Sequence, residues 1–228
     1  MAKNALILGG NGDIGKSISA KFRLNGFEVK QVGRRDFDLG NNQEITKFFN
    51  KNHKEYDVLI HCAAVNIPKR FIDISFEDLS YSVNVNVLGF LNVTKVLLKG
   101  WIKNNYGRVL VISSLYGTTS RIDRLPYTLS KHALNGVVKN LAIELSGNGV
   151  LVNSISPGYV DTKMTSSNNT EDQIKKIEQL IPLQRLGMPD DIAEIAYFLC
   201  SAKNTYINGQ NIVVDGGFSI GGFYSGLI

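Results

Sequence analysis

The sequence predicts one doubly wound α/β domain, a parallel sheet covered by helices on both faces, over residues 1–228. Three observations predict it. Short apolar, β-branched runs recur along the chain, each near-continuous, as in strands buried on both faces. Stretches with apolar residues at helical spacing separate these runs. A glycine-rich segment, Gly9 to Gly15, joins the first run to the first helical stretch.

Taken in order, "NALILGG" is the first strand, ended by glycines, and "KSISAKFRLNGF" the first helix. "EVKQVGRR" is a second strand and "NQEITKFFNKN" a second helix. "YDVLIHCAA" and "GRVLVISS" are strands on either side of the long helical pattern "SVNVNVLGFLNVTKVLLKGWIK". "TLSKHALNGVVKNLAIELSG" reads as a helix, "VLVNSISPG" as a strand, "DDIAEIAYFLCS" after Pro189 as a helix, and "QNIVVDGG" as the closing strand. "DTKMTSSNNTEDQ" is the most polar long stretch and predicts a mobile loop leading into a short helix, a substrate loop at about 161–182. No linker, repeat or low-complexity segment interrupts the alternation.

Composition narrows the function classes. Hydrophobic residues make up 43% and charged residues 20%, an ordinary globular balance. No apolar run approaches the ~18 residues of a membrane span, and "ALILGG" is broken by glycine too soon for a signal peptide. Cys62 and Cys200 lack CxxC spacing, so neither a disulfide framework nor a metal site is expected, and a cytoplasmic location fits. The net charge of +5 comes from scattered basic residues without interleaved aromatics. That argues against nucleic acid and suits a phosphate-bearing small ligand.

"GGNGDIG" stands where a dinucleotide fingerprint belongs, directly after the first strand of a βαβ unit, as in a Rossmann domain. Glycines there let the backbone approach a diphosphate, and the helix N-terminus supplies free N–H groups. At the end of the second strand an acidic residue would accept bonds from a ribose 2′-hydroxyl, and an arginine would receive a 2′-phosphate. Here the residues are Gly33, Arg34 and Arg35, which favour NADP(H); Asp36 keeps NAD(H) possible. Further along, Tyr127 and Lys131 in "YTLSK" share a helix face, which alone is either a solvated surface or a proton-handling pair.

The ordered set of motifs resembles the short-chain dehydrogenase/reductase family, nearest its 3-oxoacyl-(acyl-carrier-protein) reductases, from about residue 4 to residue 217. It comprises "GGNGDIG", "DFDL", "HCAA", "VNVLG", Ser114 thirteen residues before Tyr127, "YTLSK", "SPGYVDT" and "IPLQRLGMPDDIA" through "YINGQNIVVDGG". The resemblance implies an oxidoreductase that interconverts a carbonyl and a secondary alcohol. Tyr127 would be the general acid/base and Ser114 would bond the substrate oxygen. Lys131 would lower the tyrosine pKa and grip the nicotinamide ribose, while Asn86 would hold a water linking Lys131 to solvent. It also implies that Gly9, Asn11, Gly12, Asp13, Ile14 and Gly15 cradle the diphosphate and that Asp38 and Leu39 meet adenine. Cys62, Ala63 and Ala64 would pack beside the cofactor, and Ile155, Pro157, Gly158, Val160 and Thr162 would line its nicotinamide end. A homotetramer, or a dimer, with the C-terminal segment at a subunit interface is implied too. The partner is a small carbonyl or alcohol substrate, without nucleic acid or membrane.

The sequence also departs from the pattern. Asp13 replaces the loop's middle glycine, "HCAA" replaces Asn-Asn-Ala-Gly, and the stretch from Arg34 to Asp57 is short. Asn105 and Asn148 stand where carrier-protein reductases place arginines, which weakens docking of an acidic carrier. Carrier-protein reduction stays as the alternative, with a non-catalytic NADP-binding redox sensor behind it. The substrate pocket is expected around 66–75, 115–124 and 161–182.

Overall fold

Six parallel strands form one sheet: β1 (Asn4–Leu8), β2 (Glu28–Val32), β3 (Val58–His61), β4 (Gly107–Ile112), β5 (Val150–Pro157) and β6 (Asn211–Val214). Their order is β2-β1-β3-β4-β5-β6. The structure is a computed structural model describing residues 3–52 and 54–221. The helices are α1 (Asp13–Leu24), α2 (Asn42–Lys51), α3 (Phe76–Val83), α4 (Gly89–Asn104), α5 (Leu125–Leu145), α6 (Lys163–Asn168), α7 (Glu171–Leu180) and α8 (Pro189–Cys200). This is the single α/β Rossmann domain that the sequence predicts.

The near-continuous apolar strands are explained by their two covered faces. Side chains alternate, so Leu6, Leu8, Leu59, Val109 and Val111 enter one core with Phe90, Trp101 and Leu134 of α4 and α5. Ala5, Ile7, Ile60, Leu110 and Ile112 enter the other, with Ile18 and Phe22 of α1 and Ala193, Ala196 and Leu199 of α8. The short stretch after Arg34 also has its explanation. β2 is the sheet edge, and the chain turns from it directly into α2 without adding a further strand outside it. Strand order reverses between β1 and β3, which opens a crevice at their C-terminal ends.

Two expectations are corrected. The polar stretch after Asp161, expected as a loop leading into a short helix, does lead into a helix, α7, but its loop part is itself largely a helix, α6. Thr162 caps the first, Thr170 and Gln173 form a capping box on the second, and Ile174, Ile177 and Ile181 pack beneath with Leu186. Helical structure also runs from Phe76 to Asn104, long and apolar enough to cross a membrane by length and composition, contrary to the expectation that no stretch approaches a span. Its Phe90, Val93, Leu97 and Trp101 lie in the core, which accounts for its hydropathy without a membrane. A single π-helical turn, Asn84–Leu88, joins α3 to α4, a feature that often marks functional sites.

Candidate active site

The crevice at the switch point begins at the glycine loop. Gly9 has φ +74, and a Cβ there would lie 2.5 Å from the Ala63 amide nitrogen, so only glycine lets this turn rest against the end of β3. A Cβ on Gly15 would sit 2.5 Å from the Gly9 carbonyl oxygen, which explains the second glycine as close packing of α1 on the loop. Gly33 leaves room for the Asn11 amide, whose nitrogen would be 2.8 Å from a Cβ there. Gly12 precedes α1 with no side chain capping the helix, which leaves its first N–H groups facing the crevice.

A cavity of about 830 Å³ fills this crevice. Gly9, Asn11, Gly12, Arg34, Arg35, Asp38, Leu39, Cys62, Ala63 and Ala64 line it, as expected from the sequence. Ile14, Gly15 and Asp13 do not. Ile14 packs from α1 on the core, and Asp13 turns its carboxylate to the Lys163 backbone N–H, 2.7 Å away. The acid that replaces a loop glycine therefore ties the cofactor loop to α6. Lys16, Tyr81 and Met164 also line the cavity and were missed; Lys16, one residue after the last loop glycine, was the legible one. Arg34 pairs with Asp38 at 3.3 Å, while Asp36 turns back to accept from the Gly33 N–H at 2.9 Å.

A dinucleotide fits these residues: glycine-shaped backbone, an open helix N-terminus and two arginines at the far end of one crevice. Among the described residues no group of three or more His, Cys, Asp or Glu side chains is gathered to hold a metal ion.

A second cavity, of about 510 Å³, adjoins the first, and Met164 lines both. Ser114 and Tyr127 face it, together with Asn66, residues from Leu115 to Arg124, and Met164 to Asn169 of the α6 region. These are the three stretches from which the sequence predicts a substrate pocket. Pro157 and Gly158 line it as well, whereas Val160 is buried in the core and Thr162 caps α6. Ser113 does not compete with Ser114, because it is buried beneath the following turn, where a Cβ on Gly117 would meet its hydroxyl.

Tyr127 and Lys131 stand one turn apart on α5, with Lys131 Nζ 5.3 Å from the tyrosine ring centroid. Lys131 is buried and donates to the Ile112 carbonyl at 2.8 Å. Burial lowers its pKa to about 8, against an opposing pull from Cys62. The expectation that Lys131 pulls the phenol down is corrected here. Burial instead raises Tyr127 to about 12, and the opposing influences are the Ser114 hydroxyl and Arg124. The ammonium bonds the Ile112 carbonyl and is not among the influences on the phenol.

Asn86, not the exposed Asn84, is the buried asparagine of the π-turn. Its amide donates to Val65 O at 3.0 Å and Ser130 Oγ at 2.9 Å, and its Oδ1 accepts from Val65 N at 2.8 Å. Ser130 in turn donates to the Tyr127 carbonyl at 2.8 Å. Asn86 therefore links the segment after β3 to α5. Its own backbone carbonyl accepts from His61 Nε2 at 2.8 Å, and the imidazole stacks on Phe90. Burial holds His61 neutral, with a pKa of about 3. The histidine in place of an asparagine thus joins β3 to α4 as a ring.

Comparison with known proteins agrees with this geometry. A family model described as enoyl-(acyl carrier protein) reductase matches residues 20–219. The 3-oxoacyl-[acyl-carrier-protein] reductase of Aquifex aeolicus is 34% identical over 93% of this chain and 86% of that protein. Among solved structures, 4-hydroxyisoleucine dehydrogenase complexed with NADH has a TM-score of 0.91 at 26% identity, covering 96% of this chain and 99% of that one. ElxO with NADP bound has a TM-score of 0.85 at 26% identity, covering 96% and 100%.

Proposed function

The chain belongs to the short-chain dehydrogenase/reductase family of NAD(P)-dependent oxidoreductases, and from that premise we propose that it interconverts a carbonyl and a secondary alcohol with NADP(H). The observation that carries the reading is that Ser114 and Tyr127 face the second cavity beside the cofactor crevice, with Lys131 buried one helical turn behind the tyrosine. When bound, the nicotinamide cofactor supplies the hydride for carbonyl reduction or accepts it from the alcohol carbon. Ser114 hydrogen-bonds the substrate oxygen and orients it toward the phenol. Tyr127 gives that oxygen a proton during reduction and removes it during oxidation. Lys131 holds a positive charge under this site below about pH 8. Gly9, Asn11 and Gly12 would hold the diphosphate, and Val160 and Thr162 would shape the nicotinamide end from behind Pro157 and Gly158.

The preference for NADP(H) is supported by Arg34 and Arg35 on the cavity wall and by the engagement of Asp36 with Gly33. The NADP-bound ElxO structure is a consistent relative. A homotetramer in a reducing cytoplasm completes the proposal. Leu88, Val96 and Ile102 beside or on α4, and Leu129 and Ile143 on α5, are exposed apolar side chains suited to subunit contacts. The last residues of the implied C-terminal interface lie outside the described residues. Carrier-protein reduction remains the second reading, favoured by the 34% identical Aquifex aeolicus relative.

The test is turnover of a carbonyl panel, with Tyr127→Phe as the control for mechanism. The variant should retain NADPH binding and lose about 10²–10⁴ in kcat. Retention of activity within a few-fold of wild type would overturn the assignment, and absence of turnover in the wild type would favour the redox-sensor alternative. Arg34→Ala should weaken NADPH about tenfold or more and leave NADH nearly unchanged, by loss of a charge-assisted phosphate contact. Equal wild-type affinities for the two cofactors would remove the preference.

A further inference from the structure

The substrate cavity has a charge pattern that catalysis at Tyr127 does not need. Arg121 and Arg124 both line it, and no Asp or Glu does. Three arginines elsewhere on this protein are ion-paired: Arg34 with Asp38, Arg70 with Asp123 and Arg185 with Asp191. Among the described residues Arg121 and Arg124 have no ion-pair partner. Asp123, which lies between them in sequence, is turned to Arg70 at 3.4 Å. The one nearby acid is therefore directed away from both guanidinium groups.

Each guanidinium also keeps donors in reserve. Among the described residues the Arg124 guanidinium bonds only the Asp123 carbonyl, at 3.3 Å, and Arg121 reaches the Tyr159 hydroxyl at 3.5 Å. The Tyr159 hydroxyl lies 3.4 Å from the Tyr116 hydroxyl, so one phenol donates to the other and the second keeps its O–H as a further donor beside Arg121. Arg124 is half-buried, and its field reaches the Tyr127 phenol, where it opposes the rise in pKa. Two positive forks on one wall of a concave, partly apolar cavity attract an anion, and a planar guanidinium matches an oxyanion with paired hydrogen bonds. If these arginines served solubility alone, they would not converge on the cavity that holds the catalytic pair.

We propose that the substrate carries an oxyanion, a carboxylate or a phosphate monoester, held by Arg121 and Arg124 while its carbonyl or hydroxyl lies against Ser114 and Tyr127. The substrate class is then an oxo or hydroxy acid, or its phosphate counterpart. This rests on the reaction proposed above and adds the chemistry of the rest of the substrate. Tyr116 and Tyr159 complete the anion site at its outer side, and Asn66, Asn168 and Asn169 offer polar contacts to the carbon skeleton between.

The experiment compares secondary hydroxy acids of graded length with their methyl esters and with the corresponding phosphate monoesters, assayed by NADP⁺ and NAD⁺ reduction. In the wild type, kcat/KM for the acid or the phosphate should exceed that for the ester roughly ten- to a hundredfold, the worth of one or two charge-assisted hydrogen bonds. Whichever anion leads identifies the source. In Arg121→Gln and Arg124→Gln that ratio should fall to within about threefold, and the lysine variants should restore part of it. An ester used as well as both anions, or a ratio unmoved by either glutamine variant, overturns the proposal. If none of the three series turns over, the reaction reading fails, and calorimetric titration of the same compounds onto the NADP⁺-saturated protein decides the anion site. Binding of an anion but not its ester, lost in Arg124→Gln, sustains it. Equal binding, or none, refutes it.

Discussion

Burial of Lys131 makes a measurable prediction about stability. The residue is 1% exposed, and burial takes its pKa from 10.5 to about 8. In the unfolded chain it returns to the ordinary lysine value. Below about pH 8 it is charged in both states, and the folded protein bears the whole desolvation penalty. Between about 8 and 10.5 the folded protein releases its proton while the unfolded chain keeps it, so stability rises with pH; above 10.5 the penalty is gone. A fall from 10.5 to about 8, at about 1.4 kcal/mol per pH unit, makes this about 3 kcal/mol.

The comparison is wild type against Lys131→Met, unfolded by heat or urea from pH 7 to 10.5. Methionine removes the titration and also the bond to Ile112, but that loss is nearly the same at every pH and enters as a constant offset. In the folded state neighbouring groups do not titrate in the window, since His61 is held near 3 and Cys62 and Tyr127 near 12, in each case chiefly by burial, and their titration in the unfolded chain is common to both proteins and cancels in the difference. The wild type should therefore gain about 3 kcal/mol on the variant across this range, or about 6–12 °C in Tm for a chain of this size. A difference that stays flat, or one that falls as pH rises, would refute the reading of Lys131 as a desolvated ammonium.

Two further substitutions test the frame of the site. Gly15→Ala forces a methyl into the Gly9 carbonyl and the Gly10 backbone, with contacts of 2.5 and 2.8 Å. It should raise the Kd for NADPH at least about tenfold and cost about 1–3 kcal/mol of stability, read by fluorescence titration and by urea unfolding. Asn86→Ala leaves the Val65 N–H and C=O without side-chain partners and frees Ser130 from the π-turn. Its expected cost is about 2–4 kcal/mol, with a kcat loss that Asn84→Ala, at an exposed position, does not share.

Much of this protein is legible residue by residue. β-branched apolar runs specify doubly covered strands, because side-chain alternation sends each residue into one of two helical layers. The glycine loop is equally legible, since Gly9 and Gly15 are required by backbone approach and no other side chain fits. The four-residue spacing of Tyr127 and Lys131 places both on one face of α5 whatever surrounds them. Tertiary structure decided everything that depends on desolvation or on partners distant in sequence. It sent the Lys131 ammonium to Ile112 instead of the phenol, gave Asp13 to Lys163, and set His61 against the Asn86 carbonyl. It also turned Asp123 to Arg70 and left Arg121 and Arg124 on the wall of the second cavity without an ion-pair partner among the described residues. Helix and strand preferences act over a few residues and can be read locally. Burial, pKa and charge pairing are set by atoms that only the folded chain brings together.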